Sequence, residues 1–401
     1  MKKRLTVGLI GVGGFGAAHV KVLQQLEAES VVQLMCVADP SLERLADTRR
    51  MMQARNVRWH TDFRTLLEQE WELDAVAIAA PIHLHMEIAC ASIARDLFVY
   101  LEKPPVPLIQ QLNELIERDA HRKVTVGFQL INSSAIKQLK VWRTEGKLGD
   151  IQCIRVHGCS PRTVEYYARA PWAGKLVYEG KPVFDGPATN ALSHWLHNIM
   201  YLAGREMDSF DVPRELEAEL YRTKPIESYD TICMRGHLKS GIEFQYAVTH
   251  ASEKPLPCKL EIVGSKGSAW AVENELAAGS NSGLPISVPS SSVPLLETWR
   301  EFVRFANGET RRASTHLVDT RGYVLATNAA LISSGGIRGR AEPLARDGGR
   351  AAAAADIVQG FAPEVRLVAE TNAARSGKGA RVQVDRIRSL DLGNFPLTAD
   401  W

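Results

Sequence analysis

Short runs of β-branched and other apolar residues alternate with amphipathic stretches over the first part of the chain. The apolar runs lie at Leu5–Ile10, Val31–Ala38, Val57–Trp59, Asp74–Ala79, Phe98–Leu101 and Val124–Phe128. Between them apolar positions return every three or four residues. That spacing predicts helices over Gly16–Glu27 (through Val20, Leu23 and Leu26), Leu42–Arg55, Phe63–Glu70, Leu84–Arg95 and Leu108–Arg118. Ser41 and Asp62 stand where helix N-caps belong. Alternation of this kind builds a parallel sheet with helices on both faces.

After Phe128 the pattern changes. Ser134–Glu145 reads as a connecting helix and Ile151–Val156 as a strand, followed by a long Gly/Pro/aromatic segment and a helix near Ala191–Leu202. Leu216–Tyr221, Thr231–Leu238, Ile242–Thr249, Lys259–Val263 and Ser268–Val272 then alternate, joined by short polar turns. They predict a large, open, mostly antiparallel sheet with one face covered. Pro285–Pro294 is a Ser/Pro loop and Leu295–Ala306 a short helix. The expected division is a doubly wound α/β domain over residues 1–128 and an α+β domain over 129–401. Within the latter, the Arg/Ala/Gly-rich stretch 338–401 has no readable periodicity.

Composition narrows the function classes. A length of 401 residues suits two domains. The formal charge of +2 argues against a nucleic-acid binder working through bulk electrostatics. Cys36, Cys90, Cys153, Cys159, Cys233 and Cys258 are scattered, with no C-x-x-C and no Cys/His cluster. That pattern predicts buried thiols in a reducing cytoplasm, without disulfides or a metal site. The basic start is followed by an apolar run that breaks into glycines, so Leu5–Ile10 is a first strand and not a signal peptide. No stretch has the apolar length of a membrane span.

The chemistry begins at Gly11-Val12-Gly13-Gly14-Phe15-Gly16, after one strand and before one helix. Gly11 permits a tight turn, Gly13 admits a pyrophosphate close to the backbone, and Gly16 lets helix and strand pack closely. The helix N-terminus then offers N–H groups and a positive dipole end to the phosphates. The second strand ends in Asp39, about twenty residues on, where the dinucleotide fingerprint asks for an acid. Loop and acid together predict a Rossmann domain. Asp39 would accept the ribose hydroxyls and repel a 2′-phosphate, favouring NAD over NADP; its plain alternative is to cap the next helix.

Glu102-Lys103-Pro104, after the fifth strand, resembles the glucose–fructose oxidoreductase/inositol dehydrogenase family. Ala80-Pro81-Ile82-His83-Leu84-His85 matches that family's Thr-Pro-Asn-x-x-His turn, with Ala80 and Ile82 departing from it. Gly127-Phe128 and Glu261-Ile262-Val263-Gly264-Ser265-Lys266-Gly267 also agree, so the resemblance runs from about Leu5 to Ile337. It implies hydride transfer between NAD and a carbinol or carbonyl carbon of a sugar, polyol or sugar acid. It also implies an open sheet that supports homo-oligomer contacts. Pro81, His85, Glu102 and Lys103 join Gly11, Gly13, Gly14, Phe15, Gly16 and Asp39 as expected cofactor residues. Lys103, at a strand's carboxyl end, is the expected stabiliser of alkoxide character.

The family's second catalytic stretch, Asp-x-x-x-His, meets Asn190-Ala191-Leu192-Ser193-His194 here. His194 keeps the histidine's place and suits a general acid/base, while Asn190 can only orient a hydroxyl. Helical spacing would put the two on one face. Packing is the alternative role for His194, and more so for His197. Upstream, Arg162, Tyr167, Arg169, Trp172, Lys175 and Asp185 mix flat rings with cations, which suits a sugar-like anion; ordinary packing aromatics are the alternative. A dinucleotide-binding sensor or regulator of the same fold, without turnover, is the competing function, raised by Asn190.

Overall fold

The computed structural model describes residues 4–272, 275–278, 293–335, 337–339 and 381–384. The Pro285–Pro294 loop and the 338–401 stretch lie largely outside them. The chain opens with β1 (Leu5–Ile10), α1 (Gly16–Ala28), β2 (Val32–Ala38), α2 (Ala46–Ala54), β3 (Arg58–His60) and α3 (Phe63–Gln69). Next come β4 (Ala75–Ile78), α4 (Ile82–Ala94), β5 (Phe98–Leu101), α5 (Ile109–Arg118) and β6 (Val124–Val126). It continues through α6 (Ser134–Thr144), β7 (Ile151–Cys159), α7 (Val164–Tyr167), β8 (Val177–Tyr178), β9 (Lys181–Pro182) and α8 (Ser193–Ala203). The later strands are β10 (Pro213–Arg222), β11 (Thr231–Leu238), β12 (Glu243–Thr249), β13 (Leu256–Gly264), β14 (Gly267–Val272) and β15 (Glu275–Ala278). Last come α9 (Pro294–Ala306), α10 (Arg321–Ser334), β16 (Arg338–Gly339) and β17 (Val382–Gln383).

Two compact units result. The first draws on Met1–Val106, Gln111–Asn132 and Ser292–Thr320. Its six strands run in the order β3-β2-β1-β4-β5-β6, every pairing parallel. Buried on both faces, β4 is apolar throughout and β1 is apolar apart from Thr6, rather than alternating. Strand order reverses between β1 and β4, so their carboxyl ends border the crevice where doubly wound sheets bind ligands.

The first unit departs from the expected boundary at residue 128, because α9 belongs to it. Pro294 at the first helical position and Glu297 in the first turn favour this helix start. Its apolar face enters the core: Trp299 stacks on Tyr100 with centroids 4.8 Å apart and planes 10° apart, and Phe302 meets Tyr100 edge-on at 5.6 Å. Such pairs add about 0.5–1.5 kcal/mol each beyond area burial. Sequence proximity could not reveal this pairing of residues about two hundred positions apart. The caps also differ. Helix α2 starts at Ala46, and the Ser41 N–H donates instead to Asp39 Oδ1 (2.9 Å). Asp62 does precede α3, yet its side chain makes no cap hydrogen bond.

The second unit draws on Pro107–Gln110, Ser133–Ser291 and Arg321–Trp401. Its large mixed sheet has the order β15-β14-β13-β7-β12-β11-β10-β16, with β17 also on β10. The β12–β7 and β10–β16 pairings are parallel and the others antiparallel. Burial alternates along β10 and β13, as expected when helices cover one face. Helix α10, which the sequence pattern did not suggest, packs on β10 and α8. Tyr246 Oη donates to Leu192 O (3.0 Å) and Tyr323 Oη to Ala188 O (2.8 Å), pinning the turn before α8. At the other end of α8, buried Lys140 donates to the carbonyls of Tyr201, Gly204 and Ser209 at 2.5–3.0 Å. A cation thus sits at the negative end of the helix dipole.

Three buried histidines set the acid limit of the fold. Burial pulls His197 and His250 down to about 3 and His316 down to about 4. All three fold neutral, with pKa values below those of the unfolded chain, so their contribution is complete above pH about 6.5 and lost as pH falls toward 3–4. His197 packs against Phe210 with centroids 5.2 Å apart, which favours packing over proton transfer for this residue. Urea midpoints measured at pH 7 and pH 5 should fall less steeply in His197→Phe than in the wild type. An equal fall in both would remove His197 from the acid response.

Candidate active site

The glycine loop follows β1 directly. Gly11 has φ +88°, and a Cβ there would lie 2.7 Å from the Ala79 carbonyl. A Cβ on Gly16 would lie 2.2 Å from Gly11 O, so both positions require glycine for close approach. The loop is tied to the end of β2 through Asp39, whose Oδ2 accepts the N–H groups of Val12 (3.0 Å) and Gly13 (3.3 Å). With Ser41 on Oδ1, three of about four acceptor positions on this carboxylate are used, leaving room for a ribose hydroxyl. The first turn of α1 holds no acid to oppose a phosphate. A dinucleotide fits this cradle. Arg44, which the sequence pattern did not single out, reaches Ser41 Oγ (3.2 Å), and its Nη2 lies 3.3 Å from where a Gly13 Cβ would stand. It sets a cation beside Asp39.

Two further strand ends meet the same edge of the sheet. Pro81 opens α4 after β4, and Glu102-Lys103 follow β5, with a cis bond between Lys103 and Pro104. Buried His85 joins the two turns, its Nδ1 2.9 Å from Pro104 O and its Nε2 2.8 Å from Ala80 O. Burial lowers its pKa, although the two carbonyls oppose that shift. Lying between the two carbonyls, the ring shapes the turn. Glu102 Oε2 accepts the Lys103 N–H (3.1 Å), and Oε1 lies 3.0 Å from His19 Nε2. Phe15, in the loop, is one of the few exposed large apolar side chains among the described residues.

In the second unit, Asp185 links Asn190 to Arg169. Its Oδ1 accepts Asn190 Nδ2 (2.8 Å), and its Oδ2 accepts the Gly174 N–H (2.7 Å) and Arg169 Nη2 (3.3 Å). The Arg169 guanidinium also lies 3.9 Å from the centre of the Tyr166 ring and 4.9 Å from that of Trp172, and Arg162 lies 4.9 Å from Tyr166. Arg169 is therefore committed to an ion pair and two rings. Asn190 stands in the turn before α8, not on the helix, while His194 lies buried in its first turn. The shared helix face expected for the two does not form. Tyr167 lines a cavity of about 280 Å³ with Gly174, Lys175, Lys224, Ile226 and Glu227. Lys175 is 3.8 Å from Glu227, and Lys224, another residue the sequence did not flag, donates to His250 O (2.9 Å).

Residues 5–129 match the family described as "Oxidoreductase family, NAD-binding Rossmann fold". Over that stretch the chain is similar to this oxidoreductase family. An inositol 2-dehydrogenase of Streptomyces avermitilis is 32% identical over 219 residues, 53% of this chain and 57% of that protein. The chain thus spans little more than half the length of that relative. The rhizopine catabolism protein MocA of Rhizobium meliloti is 24% identical over 52% of this chain and 60% of its own. Among solved structures, the WlbA dehydrogenase of Bordetella pertussis, in complex with NADH and UDP-GlcNAcA, superposes with TM-score 0.72 at 20% identity, over 83% of this chain and 97% of its own. Levoglucosan dehydrogenase, in complex with NADH and levoglucosan, gives TM-score 0.70 at 17% identity with the same coverages. At these identities the likeness is one of fold, over 83% of the chain. The cofactor of the family domain is NAD. Among the described residues, no helix is long and apolar enough to cross a membrane.

Asp39 and Arg44 act in opposite directions on a 2′-phosphate. Wild-type protein should bind NAD more tightly than NADP in calorimetric titrations. Asp39→Ala should narrow the gap, because Arg44 then faces the phosphate unopposed. A wild-type preference for NADP would overturn the role given to Asp39.

Proposed function

We propose that this oxidoreductase moves a hydride between NAD and a carbinol or carbonyl carbon of a sugar, polyol or sugar acid. One observation carries the proposal: Lys103 follows β5 on the sheet edge where the glycine loop leaves β1 and Pro81 leaves β4. Bound there, NAD would supply the hydride acceptor. Lys103 would donate a hydrogen bond to the reacting oxygen and stabilise its developing negative charge. His194 would take the hydroxyl proton, and Asn190, fixed by Asp185, would orient a substrate hydroxyl. The cavity beside Lys175 and Lys224, close in sequence to Tyr166 and Trp172, supports a polyhydroxylated and anionic substrate. The ligands named for WlbA and levoglucosan dehydrogenase are both sugar-like, and the former, UDP-GlcNAcA, is also anionic.

The proposal extends to assembly and compartment. Across the second sheet, Glu217, Arg235, Gln245, Arg155, Glu261 and Trp270 form one cross-strand row that is half-buried or exposed. A broad face of this kind supports homo-oligomer contact. Six free cysteines support a reducing cytoplasm.

Lys103→Ala should leave NAD affinity intact and lower turnover about 10²-fold or more, the scale of losing one oxyanion-stabilising donor. Stopped-flow nicotinamide absorbance with a panel of polyols and sugar acids tests this. NAD binding without turnover on any of them would favour the sensor.

In the oxidation direction, His194→Ala should abolish the His194-dependent limb of the kcat/KM pH profile. Asn190→Asp would set two carboxylates side by side at Asp185, so it should lower the thermal midpoint instead of simply adding charge near His194. An unchanged pH limb in His194→Ala would move the proton acceptor elsewhere.

A further inference from the structure

His19 lies on α1, eight residues after the first glycine of the loop, and is fully buried. Its ring has two partners. Trp299 Nε1 lies 3.0 Å from His19 Nδ1, and His19 Nε2 lies 3.0 Å from Glu102 Oε1. An indole N–H can only donate, so Nδ1 must present its lone pair. The single proton of the neutral ring is then on Nε2 and points at the carboxylate. One tautomer satisfies both contacts, and an imidazolium would lose the indole bond. The ring is also enclosed edge-to-face by Phe15, Tyr100 and Trp299, with centroids 5.5, 5.2 and 5.8 Å away.

Glu102 passes the constraint on. With Oε1 held by His19, its Oε2 accepts the main-chain N–H of Lys103. The chain Trp299–His19–Glu102–Lys103 therefore joins α9 to the turn that carries the lysine, and Phe15 brings the glycine loop against the same ring. We propose that His19 is a positioning residue, locked by Trp299 as the Nε2-protonated tautomer, that orients Glu102 and through it the Lys103 turn. This rests on the role proposed for Lys103. An unlocked ring could rotate or change tautomer and release the carboxylate, so the lysine would be present but misplaced.

The first measurement needs neither NAD nor turnover. Long-range ¹H–¹⁵N correlation spectra of histidine-labelled protein, with His19 assigned by its disappearance in H19Q, should show a neutral ring protonated at Nε2. In W299F, which keeps a ring against Tyr100 and loses the donor, the His19 signals should shift toward a tautomer mixture. In kinetics, H19A should lower kcat about tenfold or more while NAD affinity stays within about twofold. H19Q, whose amide can still donate to Glu102, should recover most of the loss. A wild-type ring protonated at Nδ1, or an H19Q protein as slow as H19A, would overturn the proposal. The two failures are distinguishable: unchanged turnover in K103A sinks the lysine role, whereas wild-type kcat in H19A beside a slow K103A sinks only the role of His19.

Discussion

Asp39 holds three main-chain N–H groups from two separate turns, and the cofactor side of the molecule depends on that arrangement. The turn after β1 is rich in glycine, and glycine leaves the chain its greatest conformational freedom. A buried carboxylate restricts that freedom by giving Val12 and Gly13 a fixed acceptor. The residue expected to recognise the ribose also shapes the loop expected to receive the phosphates. Removing it would therefore change more than one contact, and an effect on specificity must be separated from an effect on loop order.

A second constraint acts on the same sheet edge. His85 and Glu102 are buried polar groups whose partners are main-chain atoms or another buried side chain. Such groups are costly unless satisfied, so each fixes the chain segments it touches. In the second unit Asp185 does comparable work on Gly174, Arg169 and Asn190. The Asn190 amide donates to a carboxylate already present, which gives the departure from the family's acid a local physical basis.

Periodicity exposed most of the fold because buried parallel strands and amphipathic helices leave strong local signals. Leu5–Ile10, Phe98–Leu101 and Thr231–Leu238 have the bounds that their patterns suggest. What escaped is non-local. Helix α9 is amphipathic wherever it packs, so nothing in its own residues says that it completes the first unit. Helix α10 is buried almost throughout and lacks the polar stripe that marks a helix. The site divides in the same way. The glycine loop after β1, Asp39 after β2 and Lys103 after β5 stand at the strand ends that the local pattern predicts. Arg44, Lys224 and His19 carry no such local signal, since their surroundings are a distant turn, a cavity wall and a distant side chain. Asn190 and His194 were expected on one helix face, but the helix begins only at Ser193.

The position of Trp299 also bears on how the protein is made. The first unit is not contiguous in sequence: its sheet is complete by Val126, but the aromatic face that covers Tyr100 and seats His19 arrives only with α9. During synthesis, at about 5–20 residues per second, the nascent sheet waits on the order of ten seconds for that helix to be made. Until then Tyr100 and its neighbours offer an open apolar flank on the ribosome. A chaperone or the following domain's emerging strands would meet that flank first, which makes the order of translation part of the folding problem.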